Sequence, residues 1–85
     1  MKLFYKITPE KYREVLDIIK ERFDMNEDVD EARTTLTLNT EDKIELVAGV
    51  FDPSTDDLAS IRVVLVDESL KSEFDSILGE PYKIR

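Results

Sequence analysis

The only residues in this chain whose spacing suggests chemistry are carboxylates. Asp24-x-Asn26-x-Asp28-x-Asp30 sets oxygen donors at alternate positions, as the first half of a calcium loop does, because alternate residues of a tight loop can turn toward one hard cation. The second half departs from that pattern. Val29 stands where such a loop needs Gly for its sharp turn, and Thr35 stands where a twelfth-position Glu would chelate. The stretch is therefore expected to be a solvated acidic loop that attracts cations weakly, with no metal site and no cofactor.

Other chemistries lack their groups. There is no His and no Cys, so the usual general base, the thiol nucleophile and the common transition-metal ligands are missing. Paired carboxylates can act as acid and base only where a cleft desolvates one of them, and a chain of 85 residues encloses little. The expectation is a protein that is not an enzyme. With 12 Lys plus Arg against 20 Asp plus Glu, the formal charge is -8, which repels phosphate backbones and anionic membranes and favours a basic partner. The same charge also serves simply to keep a small protein soluble. The missing Cys fits a reducing, cytoplasmic setting. Residues 1–7 look briefly like a charged apolar leader, but Lys6, Pro9 and Glu10 interrupt it, and no run approaches a membrane span.

The elements that would position these groups are marked by periodicity. Leu3, Tyr5 and Ile7 alternate with Lys2, Phe4 and Lys6, a pattern open to a short strand or an extended arm. Thr8-Pro9-Glu10 predicts a helix start, with Thr8 as cap, Pro9 at the first helical position and Glu10 at the positive end of the dipole. Tyr12, Val15, Leu16, Ile19 and Phe23 then recur at helical spacing. Residues 24–31 read DMNEDVDE; helix continuation would stack like charges, and a loop is expected.

Three strands follow within residues 32–66. Thr34, Leu36 and Leu38 alternate with Thr35, Thr37 and Asn39; Ile44, Leu46, Ala48 and Val50 share a face of the next strand; Ile61, Val63 and Leu65 form the inner set of the third. Turns are expected at Asn39-Thr40-Glu41-Asp42 and at residues 52–57, where Pro53 and several Asp favour local bonds. Gly49 inside a strand signals a bulge or a close backbone approach. A second helix carries Leu70, Phe74, Ile77 and Leu78, capped by Asp67 or Ser69 and ended by Gly79 and Pro81. Tyr82 and Ile84 are left in a short tail able to tuck against the sheet.

The expected architecture is one α+β domain over residues 1–85: a three-stranded antiparallel meander with two helices on one face, α-β-β-β-α, and room for an added N-terminal strand. This order of elements resembles that of double-stranded RNA-binding domains. Those domains grip phosphates with a basic second-helix start, whereas here the start is Asp67-Glu68-Ser69 with only Lys71 nearby, so direct nucleic-acid binding is not expected.

In that meander the end of the first helix, the start of the first strand and the 52–57 loop share one end of the sheet. Asp24, Glu27, Asp28, Asp30, Glu31, Asp52, Asp56 and Asp57 would then form one acidic rim. On the sheet's second face Val47, Phe51, Val64 and Val66, among Arg33, Thr35, Thr37, Glu45 and Arg62, would form an apolar patch suited to homodimerisation unless residues 3–7 or 82–84 cover it. Three functions are consistent with this: a regulatory, inhibitor or immunity-type module engaging a basic protein surface; a nucleic-acid mimic of the phage-inhibitor kind; and a homodimeric structural or assembly protein.

Overall fold

In a computed structural model, which describes residues 1–38 and 43–85, the chain is α+β, with two helices and a six-stranded antiparallel sheet. The elements are β1 (Lys2–Ile7), α1 (Pro9–Phe23), β2 (Met25–Asp30), β3 (Arg33–Leu38), β4 (Ile44–Val50), β5 (Ala59–Leu65), a 3-10 turn (Glu68–Leu70), α2 (Lys71–Leu78) and β6 (Lys83–Ile84). Their order across the sheet is β2-β3-β4-β5-β1-β6. The expected turn at Asn39-Thr40-Glu41-Asp42 lies outside the described residues.

The sheet is twice as wide as the meander read from the sequence, and each added strand has a local cause. β1 is a full six-residue strand paired along its length with β5, Leu3 opposite Val63 and Tyr5 opposite Ile61. The tail extends the sheet on the other side of β1: the Tyr82 amide donates to the Phe4 carbonyl at 2.8 Å and the Arg85 amide to that of Lys2 at 2.8 Å. β2 is the larger departure. The repulsion that excludes a helix from DMNEDVDE does not exclude a strand, where successive side chains leave on opposite faces. Glu27 turns toward α1 and pairs with Arg13 and, at 3.9 Å, with Lys20, while Asp28 and Asp30 occupy the other parity. A two-residue turn at Glu31-Ala32, with Glu31 at φ 53°, closes β2 onto β3.

β4 contains an irregularity that reassigns its faces. Ile44 pairs with Leu65 but Leu46 pairs with Val64, so Glu45 is the extra residue of a β-bulge. Past it Val47, fully buried, faces the helices between Leu36 and Val63, and Leu46, Ala48 and Val50 face away. The expectation that Ile44, Leu46, Ala48 and Val50 share one face is thus corrected at its second residue.

The core lies between the sheet and both helices. Leu3, Tyr5, Leu36, Ile44, Val47, Ile61 and Val63 meet Leu16, Ile19 and Phe74, all essentially inaccessible to solvent, and Phe23 stacks on Phe74 with centroids 4.9 Å apart. Thr8 is extended before α1 but its side chain makes no capping bond; the preset φ of Pro9 starts the helix without it. Gly49 is explained by close approach: a Cβ there would sit 2.6 Å from Tyr12 Oη. That hydroxyl is buried without a hydrogen-bond partner among the described residues, and burial pushes its pKa up. Asp67 caps the 3-10 turn by accepting from the Ser69 amide at 3.0 Å, and Gly79, at φ 83°, follows α2.

One polar contact ties α2 to the sheet. Tyr5 Oη donates to Asp75 Oδ1 at 2.8 Å while Lys71 Nζ donates to Oδ2 at 2.5 Å. Burial alone would raise the carboxyl's pKa, but the bonds from Lys71 and Tyr5 outweigh it and hold Asp75 below its ordinary value. An acid whose folded pKa is depressed contributes stability above its unfolded pKa and loses it as pH falls through the folded one. Asp75→Asn should therefore cost roughly 1–2 kcal/mol at neutral pH, with the gap to the unmodified chain narrowing below about pH 4. Urea denaturation of both proteins at neutral and acid pH measures it; a gap independent of pH would contradict this role.

Candidate functional site

Two surfaces stand out once the strands are placed. The first is the end of the sheet where β2 turns into β3 and β4 leads to β5. The Phe51 amide donates to the Ala32 carbonyl at 3.0 Å, which fixes the 51–58 connection beside the Glu31-Ala32 turn. Asp30, Glu31, Asp52 and Asp56 line a hollow of about 520 Å³ there, together with Arg33 and Thr55. Asp57 is exposed on the same connection.

The 51–58 connection holds itself in shape with its own acids. Asp52 Oδ1 accepts from the Ser54 amide at 3.0 Å and from Ser54 Oγ at 2.6 Å, and the Asp52 amide donates to Asp56 Oδ2 at 3.0 Å. Such turns are what Asp, Ser and Thr favour locally. The side-chain and backbone bonds from Ser54 hold the Asp52 carboxyl below its ordinary value.

Of the eight carboxylates expected in one rim, five are at this end: Asp30, Glu31, Asp52, Asp56 and Asp57. The other three are elsewhere because β2 crosses the sheet as a strand. Asp24, left-handed at φ 51°, lies at the opposite end where α1 stops; Glu27 is turned under α1 against Arg13 and Lys20; Asp28 lies midway along β2, opposite Thr35. The same geometry bears on cation binding. Alternate residues of an extended strand sit about 6.6 Å apart, so Asn26, Asp28 and Asp30 diverge along the strand instead of converging on one ion. Among the described residues no group of three or more acidic side chains is arranged to hold a metal.

The second surface is the sheet face turned away from the helices. Residues 3–7 and 83–84 do not lie over it, being strands within the sheet; of the tail only Tyr82 borders it, beside Phe4. Its membership differs from that read in the sequence. Val47 is buried under the helices, and Phe51 packs against Tyr12 of α1, with centroids 5.7 Å apart, so neither belongs to it. Val64 does, largely buried among its neighbours, and Val66, 62% exposed, continues that parity just past β5. Leu46, Ala48 and Val50 take the places assigned to Val47 and Phe51.

Aromatic and cationic side chains interleave on this face. Phe4 and Tyr82 lie 6.4 Å apart at 56°; Lys6 Nζ sits 5.6 Å from the Tyr82 centroid and Lys83 Nζ 5.7 Å from that of Phe4, within cation–π range. Lys6 also donates to Ser60 Oγ at 2.7 Å. A groove of about 430 Å³ runs between Phe4, Tyr82, Arg62, Arg33, Ala48 and Val50. The alternation of Lys2, Phe4 and Lys6 carried this signal in the sequence; the place of Tyr82 and Lys83 beside it did not, since only the fold brings them there.

Comparison with models of protein families, with curated proteins and with solved structures finds no match to this chain. Among the described residues no helix is long and apolar enough to cross a membrane. The divergence of the acids along β2 makes a firm expectation for calcium. Titration calorimetry at millimolar calcium should give no saturable heat beyond weak charge screening; a stoichiometric isotherm lost on Asp28→Asn would contradict the extended geometry.

Proposed function

We propose that the chain is a non-enzymatic, cytoplasmic binding module of a regulatory, inhibitor or immunity type, which engages a basic protein surface through its acidic end. The observation that carries this reading is the convergence of two separate connections on one hollow: Asp30 and Glu31 from the β2–β3 turn, Asp52 and Asp56 from the β4–β5 loop, with Asp57 beside them. Acids fixed by a hydrogen-bonded loop present their charge without a further ordering cost on binding, and a concentrated negative end steers a cationic partner at low ionic strength.

A second reading, a mimic of nucleic acid, draws on a different observation. Asp28 and Asp30 alternate along one face of the edge strand β2, and the line continues through Glu31 to the hollow, so charge runs along a border of the molecule as well as gathering at its end. A mimic would compete with a duplex for a DNA- or RNA-binding protein and would depend on Asp28; a module acting through its end alone would not.

The test uses residues whose carboxylates hold no structure. Asp30→Asn, Glu31→Asn and Asp57→Asn combined remove three charges from the end, and Asn suits the left-handed position of residue 31. Capture from lysate at low salt, eluting with rising salt, should retain basic proteins on the unmodified chain and lose them on the triple variant, while Asp24→Asn with Glu80→Gln retains them. Equal capture by the triple variant would overturn the assignment of binding to this end.

A further inference from the structure

The open sheet face is self-complementary, and we infer that it docks a second copy of this chain across a two-fold axis parallel to the strands. The register shows why. Asp30, Arg33, Val50, Ser60 and Lys6 are successive partners across β2, β3, β4, β5 and β1. One level along, Asp28, Thr35, Ala48, Arg62 and Phe4 are likewise partners, with Lys83 beyond on β6. Each level begins with a carboxylate on the β2 side, passes an apolar residue on β4 and ends with cations on the β1 and β6 side.

A two-fold axis along the strands reverses the order of strands but keeps each level at its height. Set over β4, it brings Leu46, Ala48 and Val50 onto their own counterparts and the partner's Asp30 over Lys6. The partner's Asp28 then falls over Phe4, with Arg62 and Lys83 on either side. Two sheets packed in this way sit about 10 Å apart with strand directions within about 30°, which long Arg and Lys side chains span. The other in-plane axis, perpendicular to the strands, lays β2 on β2 and sets carboxylates against each other. Complementarity therefore selects one arrangement.

The charges concerned have no other ionic partner: among the described residues no salt bridge involves Asp28, Asp30, Lys6, Arg62 or Lys83. The size also fits. Five strands of about 20 Å at about 4.8 Å spacing present roughly 500 Å² per copy, on the order of 1,000 Å² for the pair, which meets the floor of about 1,000 Å² for a biological interface and places this one among the weaker, reversible ones. Half-buried Phe4 and exposed Tyr82 add aromatic side chains, in which such interfaces are enriched.

The interface is isologous, and this gives a test that a nonspecific patch cannot imitate. In Asp28→Arg homodimers Arg62 faces a new cation twice, and in Arg62→Asp homodimers Asp28 faces a new anion twice. Each variant alone should weaken self-association about tenfold or more. Mixing the two restores opposite charges at both contacts, so the mixture should regain the dimer as a heterodimer. Sedimentation velocity over a concentration series reads all four samples, with circular dichroism to verify the fold. Neither Asp28 nor Arg62 lines the acidic hollow and neither is altered in the capture variant, so capture by the acidic end and pairing through this face are read on different residues. An unmodified chain that stays monomeric at high micromolar concentration would overturn the inference, as would variants that fail to recover on mixing, or a monomer that binds single-stranded oligonucleotide through Arg62.

Discussion

A single extra residue in β4 governs how this molecule divides inside from outside. A strand presents alternate residues to alternate faces, so one inserted residue exchanges the faces of everything that follows it. Glu45 is that residue. Without the bulge, Leu46, Ala48 and Val50 would point at the helices and Val47 would point to solvent; with it Val47 is sealed between Leu36 and Val63, Gly49 makes room for Tyr12, and Phe51 reaches the Tyr12 ring. The packing of α1 on this part of the sheet therefore depends on the bulge. So does the apolar centre of the opposite face.

Much of this fold is legible in the chain. Val15, Leu16 and Ile19 mark α1, Phe74 and Leu78 mark α2, and Ile61, Val63 and Leu65 mark β5, because each buries one side of a regular period. What the pattern conceals has physical reasons. β2 is hidden because its acids are unsuited to a core: it is an edge strand, needs only Met25 inside, and its charge suits an edge that should not recruit further strands. β6 spans two residues, too few for any period. The bulge leaves no trace in residue type, since Ile44, Leu46, Ala48 and Val50 alternate as perfectly as a regular strand does; Val47 becomes an inner residue only through its pairing with Val63 of β5, and Phe51 follows it by alternation.

The surface readings follow the same division. Asp52, Asp56 and Asp57 lie at one end because of the chain order of β4 and β5, and Asp30 and Glu31 share that end because they immediately precede β3. Asp24, Glu27 and Asp28 fall outside it because a loop would keep its residues together, whereas a strand carries them across the sheet. The cations of the open face had no motif to announce them. Lys6, Arg62 and Lys83 come from three distant segments, and β1 unites them by lying between β5 and β6. In a chain of charge -8, that gathering gives the molecule an acidic end and border and a face of mixed charge.

The bulge is the claim on which the rest depends, and the absence of cysteine allows it to be tested directly. Leu46→Cys and Val47→Cys each introduce a lone thiol at adjacent positions, and labelling rates under native conditions at low protein concentration report which one faces solvent. The structure predicts that the thiol at 46 reacts readily and the thiol at 47 reacts only through opening of the fold. Fast labelling at 47 with protection at 46 would mean regular alternation through β4, and would contradict the account.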